Sequence, residues 1–145
     1  MNGMPSEKCA VLAVVNPQSS STAQSSAYVS ISKFHKIAAA IAVGAIASSG
    51  TFNAKLEQAT DASGTGVKDI TGKAITALAD TDDNKQFWIN LDPAELDLAN
   101  GFTFVRITLT PATAASLIAA LLLGFDPRFL PASDHDLASV AEIIT

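Results

Sequence analysis

The sequence predicts a mainly β protein: an antiparallel β-sandwich, jelly-roll-like, with one or two short helices. Three segments carry this expectation by alternating apolar and polar residues. Phe52, Ala54 and Leu56 alternate with Thr51, Asn53, Lys55 and Glu57; Phe87, Ile89 and Leu91 with Gln86, Trp88 and Asn90; Val105, Ile107 and Leu109 with Phe104, Arg106 and Thr108. A period of two puts successive side chains on opposite faces of a strand. Turn-forming residues break the chain at short intervals, which gives seven or eight short strands and favours a sandwich or barrel over alternating β and α units. The polar faces carry mostly hydroxyls, amides and isolated charges, thin material for an enzyme.

Residues 1–9 read as a flexible N-terminal tail, 10–131 as one β-sandwich domain, and 132–145 as a C-terminal tail with the reach of an arm onto a neighbouring subunit. Ala10–Val15 is a short apolar run stopped by Asn16-Pro17. The polar stretch Gln18–Ser26 reads as a flexible loop or an extended arm lying on a neighbour, since it has little to bury. Tyr28–Ser32 alternates and is β-branched. Ile37–Gly44 is helical by alanine propensity, or a long strand with Ile37, Ala39, Ile41 and Val43 on one face; its β-like flanks favour the strand. Ser48-Ser49-Gly50 turns the chain into the strand at 51–59. Thr60–Gly66 is a glycine-bearing loop that runs on to Gly72.

Lys73–Leu78 and Lys85–Leu91 are further strand candidates, separated by the acidic turn Asp80–Asn84. Asp92-Pro93-Ala94-Glu95-Leu96 fits one helical turn, with Asp92 as cap and Pro93 in the first position, where its missing N–H does no harm. Asn100-Gly101 signals a left-handed turn. It leads into a strand at Phe102–Thr110, broken by Pro111. Thr113–Leu123 is either a helix behind the sheet or the last long strand. From Asp126 onward, Pro127, Pro131 and Ser133-Asp134 leave little room for regular structure.

Composition narrows the function classes. The length of 145 residues suits one domain that buries roughly two-thirds of its unfolded surface. Charged residues make up only 16%, against roughly 25% in typical soluble domains. Alanine, serine and threonine fill the difference, which suggests that part of this bland surface meets other protein. The net charge of −5 opposes direct nucleic-acid binding, because no basic surplus displaces counterions. The single Cys9 cannot form an internal disulfide and reads as a small hydrophobe. The first residues carry no basic segment ahead of a long apolar one, and Asn2 stands where N-myristoylation needs glycine, so neither signal is expected. The most apolar stretch, Ile37–Ala47, falls short of the roughly 20 residues that a membrane-crossing helix needs; no membrane partner is expected.

The chemical motifs weigh mostly toward structure. Asp80, Asp82, Asp83 and Asn84 crowd oxygen ligands, but the glycine and distal glutamate of a calcium loop do not follow. Asp134-His135-Asp136 offers adjacent groups that converge poorly on one ion, and the only other histidine, His35, is distant in sequence. Asp92, Glu95 and Asp97 are the best carboxylate group for acid–base work, yet Asp92 and Glu95 are spaced as a capping box. No Gly-x-Ser-x-Gly elbow is present, and Gly64-Thr65-Gly66 with Lys68 lacks the Gly-Lys-Ser/Thr ending of a phosphate loop. No catalytic residue, cofactor or metal is therefore expected. Trp88 and Phe104 stand opposite the apolar sets of their strands, where aromatics serve as interface anchors or are covered within the chain. Arg106 beside Phe104 fits a partner such as Asp97 or an aromatic ring. His35, between Lys33 and Lys36, completes the interface candidates.

Several phrases occur together: Leu56-Glu57-Gln58-Ala59-Thr60-Asp61-Ala62-Ser63-Gly64, Lys68-Asp69-Ile70-Thr71-Gly72-Lys73-Ala74-Ile75, Pro93-Ala94-Glu95-Leu96-Asp97, Gly101-Phe102-Thr103-Phe104-Val105-Arg106, and Leu123-Gly124-Phe125-Asp126-Pro127-Arg128-Phe129-Leu130-Pro131. In combination the chain resembles small structural proteins encoded among the head genes of tailed bacteriophages, over about Tyr28 to Pro131. The resemblance implies a virion component: a minor capsid or decoration protein on the capsid exterior, made in the bacterial host cytoplasm, that cements neighbouring major capsid protein subunits. It implies no catalytic residues. A closed homo-oligomer, with a trimer favoured, would match a symmetric site. A neck or tail-completion ring protein and a surface module binding host glycans are the alternatives.

Overall fold

A computed structural model describes residues 3–144. A single helical turn, α1 (Pro5–Lys8), leads into β1 (Cys9–Ser20), β2 (Gln24–Ser25), β3 (Val29–Ser30), β4 (Phe34–Ile46) and β5 (Thr51–Ala59). Then follow β6 (Lys68–Ala74), β7 (Leu78–Ala79), β8 (Lys85–Leu91), β9 (Phe104–Ala112) and β10 (Ser116–Pro127), with 3₁₀ turns at Pro93–Glu95 and Leu98–Asn100. One sheet has the order β1-β10-β4-β8. The other has the order β2-β9-β5-β6, with β3 also on β9 and β7 also on β5. All pairings are antiparallel.

Taking β2 with β3, and β6 with β7, as two interrupted strands leaves eight strand positions. In chain order the sheets then run 1-8-3-6 and 2-7-4-5, the interleaving of an eight-stranded jelly roll. The expected sandwich is therefore present, in its jelly-roll form. The core is the layer between the sheets. Phe52, Leu56, Val105, Ile107 and Leu109 meet Phe34, Ile37, Ile41, Leu91 and Leu122 there, all buried. Packing is close at Gly124: a Cβ there would stand 2.6 Å from Cγ of Phe34.

Local reading and structure part at several places. Ile37–Gly44 lies in β4, the strand its flanks favoured, and 113–123 contributes to β10. Residues 18–26 are neither loose loop nor arm: β1 runs through Ser20, and β2 pairs Gln24 and Ser25 with Leu109 and Thr108. Ser26 exchanges two bonds with Ile107, Oγ accepting from its N–H at 3.1 Å and N–H donating to its C=O at 3.0 Å. The loop expected to run to Gly72 gives way at Lys68, where β6 begins, and Lys73–Leu78 is not one strand. Lys68 and Asp69 pair with Gln58 and Glu57, partners that a local reading of a polar stretch does not supply. Pro111 does not break β9 but lies inside it, opposite Phe52. β2 stops at Leu109, so the proline sits where only one side of β9 is laddered.

The 132–145 tail begins within the fold. Ala132 is buried and its N–H donates to the Glu7 carbonyl at 2.8 Å. Val11 donates to His135 Nδ1 at 3.3 Å and accepts from the Asp136 N–H at 2.7 Å. This segment covers part of the β1 edge.

Candidate interaction surface

The two outer faces of the sandwich differ in kind. On the β2-β9-β5-β6 sheet the outward side chains satisfy one another. Glu57, only 8% exposed, accepts from Arg106 Nε and from Thr108 Oγ1, each at 2.7 Å. Lys55 bridges Glu57 at 3.2 Å and Asp69 at 2.6 Å. The Arg106 guanidinium lies 4.6 Å from the centre of the Tyr28 ring, a cation–π arrangement. Arg106 thus stacks on an aromatic ring as expected, but its acidic partner is Glu57 and not Asp97. Phe104 is half-buried on this sheet between Ser30 of β3 and Ala59 of β5.

On the β1-β10-β4-β8 sheet the outward row is apolar. Register aligns Val14 with Leu121, Leu121 with Ala40, and Ala40 with Trp88, one residue from each strand. Trp88 is 60% exposed, Leu117 50% and Leu121 41%. A shallow depression of about 560 Å³ lies over this row, and no charged side chain lines it. Trp88 and Phe125 approach to 6.5 Å between ring centres, tilted by 43°. A contiguous apolar patch of this kind marks a contact surface more often than bare solvent-facing sheet. Trp88 was legible from alternation alone; Leu121, Leu117, Val14 and Ala40 were not, because their common face exists only once β10 lies between β1 and β4.

His35 is exposed on β4, beside Lys36. Next to Trp88 runs a second depression, of about 480 Å³, whose polar wall holds Lys36, Lys73, Asn90, Asp92 and Glu95.

The carboxylates considered for catalysis each have backbone or lysine partners in this fold. Asp92 accepts from the Ala94 N–H at 3.0 Å, and Glu95 accepts from the Asp92 N–H at 2.8 Å, the expected capping box. Each also holds a lysine from elsewhere: Lys36 with Asp92, and Lys73 with Glu95 at 2.9 Å. Asp97 pairs with Lys68, and its N–H donates to buried Gln58 at 2.9 Å. The connection from β8 to β9 is thereby strapped to both sheets. In the acidic turn, Asp83 accepts from the Ile46 N–H at 2.7 Å and Asp80 from the Ser49 N–H at 2.5 Å, so these carboxylates hold the connection that crosses from β4 to β5 between the sheets. Asp134 pairs with Lys33, and Asp136 caps its own turn through the Ala138 N–H. Among the described residues no three His, Cys, Asp or Glu side chains are grouped to hold a metal ion. The chain matches no protein-family model and no curated protein sequence.

These ion pairs give the fold a pH window. Burial pushes the Glu57 pKa up, but hydrogen bonds from Thr108, Arg106 and Lys55 outweigh it and hold the carboxyl below its ordinary value. Hydrogen bonds from Lys36, Lys73 and Lys68 likewise depress Asp92, Glu95 and Asp97. A carboxyl depressed on folding stabilises above its unfolded value and loses that contribution as pH falls through the folded one. Lys36 and Lys55 are raised, chiefly by hydrogen bonds to Asp92 and Asp69. Their contribution holds below the ordinary lysine value and is lost as pH rises through the folded one. Thermal melts followed by circular dichroism are expected to give a plateau between about pH 5 and about pH 10, with a decline on either side.

Proposed function

We propose that the chain is a non-enzymatic structural protein of a bacteriophage virion, decorating the capsid by docking across joints between major capsid protein subunits. The observation that supports this most is the apolar row Val14, Leu121, Ala40 and Trp88 on the outer face of the β1-β10-β4-β8 sheet, under a depression lined by no charged side chain and with Trp88 exposed at its margin. A face of this composition gains by exclusion of water, at ~25 cal/mol per Å² of apolar area, and repetition over a lattice multiplies small contacts. The opposite face offers less, since its charges are already paired. The sequence resemblance supplies the virion context; the jelly roll adds only analogy, because the same fold hosts many activities.

Trp88→Ala is expected to weaken capsid attachment while leaving stability within about 0.5 kcal/mol, as for other exposed positions. Co-sedimentation of the purified variant with capsids, against wild type, measures the first, and a thermal melt the second. Normal attachment of the variant removes Trp88 from the contact. Quantitative mass spectrometry of virions from the source phage separates lattice decoration, at hundreds of copies, from a neck or tail ring at a dozen or so. Absence from virions ends this reading. The depression that joins Trp88 and Phe125 to Asn90 and Asp92 favours a second reading, a glycan-binding surface; saturable binding on a glycan array, lost in Trp88→Ala, would establish it.

A further inference from the structure

Three of the four sheet edges are blunted against further pairing. β1 carries two register shifts and Pro17, and the 135–136 segment uses both backbone groups of Val11. β2 and β3 are two-residue fragments, while β6 and β7 are interrupted and shifted in register. β8 differs. It pairs with β4 over seven consecutive residues without a shift, it contains no proline, and among the described residues 86–90 make no hydrogen bond outside that ladder. Beside it lies an open depression of about 540 Å³, with residues 87–90 on one wall and 72–78 on the other. A regular edge of this kind is a template for another strand.

The residues of β8 select what that strand is. An isologous contact must be complementary to itself, and the strand reads almost the same in both directions: Gln86, Phe87, Trp88, Ile89, Asn90. We propose that two copies of this chain join edge to edge through β8, antiparallel about a twofold axis at Trp88. In this register Trp88 faces Trp88, the amides Gln86 and Asn90 face each other across the outer side, and Phe87 faces Ile89 on the inner side. Lys85, which makes no ion pair among the described residues, falls opposite Leu91 at the end of this ladder, so the register sets no like charges against each other. Registers centred on Phe87 or Ile89 set an amide against Trp88 and lose this match. The dimer would have one eight-stranded sheet and a single apolar outer face of doubled extent, whatever that face docks against; the pairing does not depend on the virion reading.

Size-exclusion chromatography with light scattering on the purified full chain tests the proposal. Wild type is expected to run as a dimer, with emission of the single Trp88 shifting to the blue as concentration rises. Gln86→Lys/Asn90→Lys places lysine against lysine twice, and Gln86→Glu/Asn90→Glu does the same with carboxylates; each is expected to run as a monomer. All four substitutions fall on exposed side chains, and mixing the two variants is expected to restore a one-to-one heterodimer, which also shows that both are folded. A wild-type monomer or trimer, a lysine variant that stays dimeric, or a mixture that stays monomeric overturns the pairing.

Discussion

Replacing Glu57 with alanine is expected to destabilise the fold by ~3 kcal/mol, which lowers the melting temperature by roughly 6–12 °C for a chain of this size. Glu57 is the hub of the outer network on the β2-β9-β5-β6 sheet. It takes hydrogen bonds from Arg106 and Thr108 through one oxygen and an ion pair from Lys55 through the other. Removing it strands a partly buried guanidinium and leaves the buried Thr108 hydroxyl with Ser25 alone, at 2.9 Å. The penalty comes from those uncompensated groups more than from the lost attraction. Two companion variants locate the cause. Glu57→Gln keeps an acceptor and should cost less, while removing this residue's share of the acid-side decline. Glu57→Ala/Arg106→Leu removes both charges and should recover part of the loss. If thermal melts place Glu57→Ala within error of wild type, the network contributes no net stability.

The second large effect is expected at Gly124. It pairs with Ala10 on one side and Ile37 on the other, so its backbone is fixed in the centre of the sheet. An added Cβ would stand 2.6–2.8 Å from three ring carbons of Phe34, which is itself fully buried. Neither can withdraw: Phe34 has no exposed side to swing toward, and β10 is held by ladders on both flanks. Gly124→Ala is therefore expected to cost ~3 kcal/mol, at the upper end of what overpacking usually does. Phe34→Leu alone opens space and should cost less than the ~3–5 kcal/mol of a Phe→Ala truncation. Combined with Gly124→Ala it should be less destabilising than the sum of the two, because the smaller side chain makes room for the methyl group. Urea titrations of the four proteins form a double-mutant cycle, and strict additivity would show that the close approach is not what makes glycine necessary.

The candidate surface shows where local reading reaches its limit. Alternation in 85–91 was enough to turn Trp88 away from Ile89 and Leu91, because the period of two belongs to the strand itself. The same argument applied to Phe104 and Arg106 gives their face but not their cover. Phe104 turns out to be flanked by β3 and β5, and Arg106 finds Glu57 directly across the ladder. Asp97 was the nearer acid in sequence, yet it closes the β8–β9 connection with Lys68. The apolar run in β10 could not be assigned to helix or strand, since alanine and leucine serve both and its outward residues are as apolar as its inward ones.

What the sequence determined by itself is whatever depends on a few neighbouring residues: the inward and outward sets of β5, β8 and β9, the Asp92–Glu95 capping box, the left-handed turn at Gly101, and with them the β-sandwich class. Tertiary structure alone decided which strands adjoin. It made a strand of the polar segment 68–74, absorbed the serine-rich stretch after β1 into the sheet, and assembled Val14, Leu121, Ala40 and Trp88 into one row. Pairing between residues as far apart as Cys9 and Phe125 is set by how the whole chain buries its apolar faces at once. No local pattern encodes that balance.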